Sequence, residues 1–302
     1  MVERQVDLAG LVAKFLPDPC EPAKVKYSSE DDFRFRIMMI ADRYADGNNA
    51  ADLRDASTFK LALERDPETG AALYSQPTIS RMEDLADTRA LIRVANEMVR
   101  FYCASFARAP QQIVLDIDDT FDAVDGHQQF RLFNAYYDEY GFQPIVVFHG
   151  EGRLLGVVLP RASCPFGKKA ADHIRRRIRV IRCHWPTTAI LPRTESHYGT
   201  PKVLSLCDSL WLRDMSGLSK HARLREHIQT MEASTAERYA RKSQILSRFK
   251  TFSYAARSWS KTHRFVDRVK VGALGRDSRF IVTNLTGPPC KHFYEKLYSV
   301  RG

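Results

Sequence analysis

A chain of 302 residues, 44% hydrophobic and 11% aromatic, is long enough to bury a large core in about two or three domains. Lys and Arg outnumber Asp and Glu by 46 to 36 and the isoelectric point lies near 9.4, which favours a polyanionic partner, nucleic acid first, with a merely basic soluble enzyme as the plain alternative. No run approaches the ~18 to 20 consecutive apolar residues of a membrane span. The six cysteines are scattered, with no Cys-x-x-Cys pair, so a zinc or redox motif is excluded and a cytoplasmic chain with reduced cysteines is expected.

Residues 1–110 read as helical, because apolar positions recur at spacings of three and four. Leu91, Ala95, Met98 and Tyr102 form one stripe, widened by Ile92 and Val99; Asp87 or Thr88 caps it and Ala109-Pro110 closes the connection. Earlier, Ser75 to Arg81 opens a further helix with Pro77 near its start. It reads as a packing helix or as part of a helix-turn-helix module in which Arg81 meets DNA.

Past 110 the period changes. Short apolar runs at 113–115, 144–148, 154–159 and 188–191 are buried-strand candidates. Between the last two lies a helix whose apolar face is Ile174, Ile178 and Ile181 and whose basic face is Arg175, Arg179 and Arg182. Thr200-Pro201 begins another helix, to about Leu210. A polar helical stretch from 217 to 250 and strands from 252 to 285 follow. The fold class is α/β.

Ile113-Val114-Leu115 runs into Asp116, Asp118 and Asp119. Side chains alternate along a strand, so Asp116, Asp118 and Thr120 share one face and Asp119 takes the other. Clustered carboxylates repel unless a cation or protons intervene, and a pair on one face suits a hard divalent cation with room left for phosphate and water. Metal-assisted phosphoryl chemistry is the sharp reading, and an exposed acidic turn capping the next helix is the bland one. The same pattern also resembles the first motif of haloacid-dehalogenase-like phosphatases, in which Asp116 would attack phosphate and Asp118 act as acid or base; no convincing acidic pair follows Lys202 to complete that family's site.

What surrounds the strand carries a second resemblance. His127-Gln128-Gln129, Phe133-Asn134, Tyr136-Tyr137-Asp138 and Pro144 to Phe148 are similar to a block of one group of bacterial DDE insertion-sequence transposases. So are Trp185-Pro186, Arg193-Thr194-Glu195-Ser196-His197-Tyr198-Gly199, Phe280 to Leu285, and Leu297-Tyr298 to Arg301-Gly302. Upstream, Asp46 to Ala50, Ser75 to Arg81 and Tyr102-Cys103 also fit, so the likeness spans roughly 18–302.

The resemblance implies a ribonuclease H-like mixed-sheet core over 111–302, with a helical, DNA-binding N-terminal domain over 1–110 and a polar helical and β-rich insertion over 217–285. It implies three carboxylates holding two Mg2+ ions that activate water or a DNA 3′ hydroxyl for attack on a phosphodiester. Asp118 corresponds to the first carboxylate and Glu195 to the second, with Asp116 as a further metal ligand and Asp119 as an alternative. The implied partners are double-stranded DNA, its terminal inverted repeats, and a second copy or an intact transposase in a mixed oligomer, in a bacterial, nucleoid-associated setting. From 161 to 182 the chain holds eight Lys or Arg against one Asp, so Lys168, Lys169, Arg175, Arg179 and Arg182 are candidate phosphate contacts or a solubilising face.

Two departures weaken the expected activity. Glu195 stands where the family has Asp, which displaces the carboxylate by about one methylene, and Thr194 replaces a Gly at a place where backbone freedom is expected. The third carboxylate, expected in a Glu-Asn pair shortly after Tyr-x-x-Arg-Gly, falls beyond Gly302; Glu295 lies one to two turns too early. The chain is therefore expected to be a truncated, impaired transposase, or a DNA-binding regulator derived from one.

Overall fold

The computed structural model describes residues 7–16, 28–124, 126–159 and 166–300, with backbone only for 166–169. Cys103, Cys183, Cys207 and Cys290 are free thiols; Cys20 and Cys164 lie outside the described residues. No described helix is long and apolar enough to cross a membrane. The chain divides into two compact units, Met1–Glu97 and Met98–Gly302.

The first unit is helical: α1 (Leu8–Ala13), α2 (Ser29–Ala41), α3 (Ala50–Leu53), α4 (Ser57–Ala62), α5 (Gln76–Asp84) and the start of α6 (Thr88–Ala104). Caps set their starts. Ser28 Oγ accepts from Asp31 N at 3.1 Å, Pro77 occupies the first turn of α5, and Asp87 accepts from Ala90 N at 2.6 Å. Phe35, Met39, Phe59, Tyr74 and Ile79 form the core, with Phe35 edge-on to Phe59 at 5.6 Å. Arg36 Nε donates to Glu83 at 2.6 Å and ties α2 to α5. The stripe expected on α6 holds at Val99 and Tyr102 but not at Leu91, which is 54% exposed; Ala90 is buried in its place.

The second unit is built on an eight-stranded mixed sheet in the order β6-β5-β1-β7-β8-β11-β10-β9. Its first half comprises β1 (Gln112–Asp119), β5 (Ile145–His149), β6 (Leu154–Val158), β7 (Ala189–Thr194) and β8 (Met215–Leu218). β1, β5 and β6 run antiparallel, whereas β7 lies parallel to β1 and β8 parallel to β7. Three antiparallel strands followed by two parallel to the first, reached through helices, make a ribonuclease H-like core. β8 had no counterpart in the sequence reading, because Met-Ser-Gly-Leu neither alternates nor forms an apolar run.

One face of this half is fully covered. Ile113, Leu115, Ile117, Val147 and Ile190 pack against Ile174, Ile178 and Ile181 of α7 (Phe166–His184) and against Val203 and Leu206 of α8 (Pro201–Ser209). Each such aliphatic side chain contributes about 1.5–3 kcal/mol by leaving water. Thr200 caps α8 by accepting from Val203 N at 3.4 Å, with Pro201 in the first turn.

The late strands β9 (Leu246–Tyr254), β10 (His263–Gly272) and β11 (Gly275–Thr283) extend this same sheet: β11 pairs antiparallel with β8. α9 (Ala222–Lys242) lies over them through Leu224, Ile228 and Met231. A last helix, α10 (Cys290–His292), continues as a π-helical segment Phe293–Tyr298. It packs on the sheet's other face through Phe293, Tyr294 and Tyr298, against Leu191, Met215, Val266 and Ile281. A separate three-stranded sheet, ordered β2-β4-β3, is made by β2 (Asp122–Ala123), β3 (Leu132–Asn134) and β4 (Glu139–Phe142).

Candidate active site

β1 brings three carboxylates to one strand end, and its pleat gives them different surroundings. Ile113, Leu115 and Ile117 point into the core, while Val114, Asp116 and Asp118 are half-buried on the opposite face. That second face is the one on which α10 lies.

Asp116 is fully engaged. Arg193 of β7, directly opposite it in the parallel ladder, grips both oxygens, Nε to Oδ1 at 2.5 Å and Nη2 to Oδ2 at 2.6 Å. The third nitrogen of Arg193 donates to the Leu297 carbonyl at 2.6 Å, so one buried guanidinium joins β1, β7 and the last helix. Such a two-pronged pair needs its remaining hydrogen-bonding groups satisfied to stand burial. Asp116, read from the sequence as a metal ligand, has its oxygens on Arg193. The phosphatase reading also loses its nucleophile, since a carboxylate held this way is not free to attack.

Asp119 serves another end. Its Oδ2 accepts from Gln143 Nε2 at 3.0 Å and Tyr198 Oη at 3.0 Å, and meets His197 Nε2 at 2.9 Å. The side chain is only 6% exposed. It anchors the turn after β7 to the end of β1. Burial, then the charge and hydrogen bond of Asp119, push the Tyr198 hydroxyl far above its ordinary pKa. Burial alone would lower the His197 pKa, but the Asp119 hydrogen bond and charge, with Asp118 and Glu195, hold it above its usual value.

Asp118 and Glu195 remain as the pair. Ile117 is opposite Thr194 at the end of the β1–β7 ladder, and Asp118 and Glu195 are the next residue on each chain. Alternation along β1 carries Asp118 to the side of Asp116, Glu195 follows the end of β7, and both charges reach His197. Two grooves open beside them. One, of about 490 Å3, is lined by Asp116, Asp118, Thr120, Phe148, His149 and Arg193. The other, of about 330 Å3, is lined by Glu195, Ser196, Lys220, Asp277, Arg279 and Tyr298. Among the described residues no group of three or more His, Cys, Asp or Glu side chains is set to hold a metal ion.

The sequence model of the family described as transposase DDE domain group 1 matches residues 1–302. The chain belongs to that family. Among solved structures it is similar to piggyBac transposase in a cryo-EM synaptic complex with hairpin DNA, at 11% identity and a TM-score of 0.48, over 93% of this chain. The chain spans 61% of the length of that protein chain. No curated protein matches it.

Within this transposase-family chain the remaining candidates divide. Arg179 is exposed on α7 and Arg81 on α5. Arg175 is held by Asp172 at 3.3 Å. Arg182 donates to the carbonyls of Pro186 and Thr188, where it caps the end of α7 rather than facing outward. Lys168 and Lys169 lie on the α7 backbone, with side chains outside the described residues. His127 meets Arg131 at 2.8 Å.

Thr194 corrects one expectation. It sits fully buried inside β7 and has no positive φ, so a β-branched residue suits a place where backbone freedom was expected. The close approach occurs at Gly199 instead: a Cβ there would stand 2.1 Å from the Gly217 carbonyl oxygen. Sequence reasoning placed Arg193, His197 and Tyr198 inside a motif but missed their work. Their partners lie 77 to 79 residues away, and no local pattern names a partner at that distance.

Proposed function

We propose that the chain is a DDE-type transposase acting on double-stranded DNA at insertion-sequence terminal inverted repeats, with Asp118 and Glu195 as its metal-binding carboxylates. What supports this reading is that each follows the last paired residues of β1 and β7, Ile117 and Thr194, and that both charges act on His197, in a transposase-family chain. An all-oxygen donor pair with open grooves beside it fits a hard divalent cation such as Mg2+, which takes few carboxylates and leaves places for water and phosphate. When bound, the metal supplies Lewis-acid activation of the attacking and leaving oxygens. Arg193 removes the repulsion of Asp116 from the pair, and Asp119, through His197 and Tyr198, fixes the turn that presents Glu195. Exposed Arg179 and Arg81 are available for phosphate contacts.

Glu195 sets the level of activity. Its longer side chain shifts the oxygen by about one methylene relative to Asp, and a displacement near 1 Å in a positioned site costs on the order of 100-fold in rate. Metal and DNA binding tolerate such a shift better than catalysis does. This favours a second reading, a regulator that occupies the repeats without cutting them.

Three measurements on the purified chain separate these readings: gel shifts on repeat-bearing and random DNA across salt, Mn2+ binding by calorimetry, and Mg2+-dependent nicking. Preference for the repeats, loss of Mn2+ binding in Asp118→Asn, and a gain in nicking of about 100-fold in Glu195→Asp are expected of the transposase. Repeat binding with no nicking in either form supports the regulator. Equal affinity for random DNA, with Mn2+ binding indifferent to Asp118, overturns both.

A further inference from the structure

The hairpin between β10 and β11 carries an apolar side chain where a tight turn normally carries a polar one. Gly272 pairs with Gly275, so Ala273 and Leu274 make the turn, and Gly275 takes φ +96° to close it. Asn, Asp and Gly are the usual residues of such turns. Here Leu274 stands fully clear of the protein, at 107% exposure.

A second apolar residue backs it. Ile245, 66% exposed, lies against Gly272, where a Cβ would stand 3.4 Å from its Cγ1. Around the two, Arg241 and Lys242 end α9, and Lys270 and Arg276 flank the turn; all four are exposed. The stretches 237–246 and 270–276 hold five Lys or Arg against Glu237 alone. An apolar point ringed by cations fits a partner with an anionic surface and an apolar interior.

Duplex DNA is such a partner, and the strand register brings it within reach. β8 pairs with β11 from Met215 to Leu218, the last pair being Leu218 with Phe280. Residues 275–279 therefore run on past the end of β8, by about 17 Å at the ordinary rise of a strand. They do so beside the groove that Glu195, Lys220, Asp277 and Arg279 line. DNA lying in that groove meets the tip about five base pairs away.

We propose that this tip is a wedge for duplex DNA. Leu274, with Ile245 behind it, enters the minor groove and opens one base step, kinking the helix, while the four exposed cations hold the flanking phosphates. The wedge rests on the transposition reading for its DNA, and not for the carboxylates or the metal.

Metal-free binding of the full chain to repeat-bearing duplexes tests this, with 2-aminopurine at successive positions from the repeat's end as a reporter of unstacking. One step, about five base pairs in, is expected to brighten. Leu274→Ser should abolish that signal and weaken binding about 10-fold, with its melting point unchanged because the side chain is fully exposed. Lys270→Ala with Arg276→Ala should instead lower the slope of log affinity against log salt by about two. Binding with no brightening at any position, or a signal that survives Leu274→Ser, overturns the wedge and leaves the transposition reading standing. Absence of binding to any duplex overturns both. Binding to phosphatidylserine vesicles that is lost in Leu274→Ser, with DNA binding unaltered, gives the tip to a lipid surface and overturns the wedge too.

Discussion

The two halves of the main sheet treat buried acids in opposite ways. In the half formed by β6, β5, β1, β7 and β8, Asp116 is gripped by Arg193 and Asp119 by Gln143, His197 and Tyr198. In the half formed by β11, β10 and β9, Asp267 is fully buried between β10 and α9 and neither oxygen meets a hydrogen-bond donor among the described residues. Burial pushes its pKa up to about 8, against a small opposing effect of Lys250. Within the first half Asp214, beside β8, is the exception, raised to about 7 first by burial and then by Asp208. The acids at the end of β1 are given dedicated donors, whereas burial raises the pKa of Asp267 in the extension.

That contrast can be broken most strongly through Asp267. An acid whose folded pKa exceeds its unfolded value binds more protons when folded, so its contribution to stability falls as pH rises from near 4 to about 8 and is flat beyond. The loss across that window is on the order of 5 kcal/mol for one such group. Denaturant titrations across pH should show it, and Asp267→Asn should flatten the profile. An unchanged profile would place Asp267 with the partnered acids.

Arg193→Ala should come next, costing about 3–5 kcal/mol because Asp116 is left buried without its partner. Adding Asp116→Asn should recover part of the loss in a double-mutant cycle, and strict additivity would deny the coupling. Asp119→Ala removes three hydrogen bonds at once and should cost about 2–4 kcal/mol, read by denaturant titration. The smallest effect belongs to Tyr298→Phe: its hydroxyl reaches the Thr194 carbonyl at 3.4 Å, and the change should stay within about 1 kcal/mol.

Much of the core was legible because local pattern decides it. The apolar runs at 113–115, 144–148, 154–159 and 188–191 fall on β1, β5, β6 and β7, and Ile174, Ile178 and Ile181 face the core as their spacing implied. Alternation alone separated Asp118 from Asp119. The joining of β11 to β8 was not legible, since nothing in Met215–Leu218 marks a strand. Nor was the short sheet of β2, β3 and β4, whose aromatic residues read equally well as parts of a motif. The site was readable in its residue types and not in its pairings: the fork on Asp116 and the cluster on Asp119 depend on strand register, which the fold supplies.

The junction of Asp118 and Asp119 also bears on how this chain tolerates change. Two consecutive residues of the same type hold unlike positions, one half-buried on the side of Asp116 and the other tied to His197 and Tyr198 of the turn after β7, and only the pleat distinguishes them. Substitutions in β1 act one side chain at a time. A single-residue insertion or deletion between Ile113 and Ile117 would exchange the two positions and turn the apolar side of the strand toward the groove. The strand is therefore permissive toward spelling and intolerant of length.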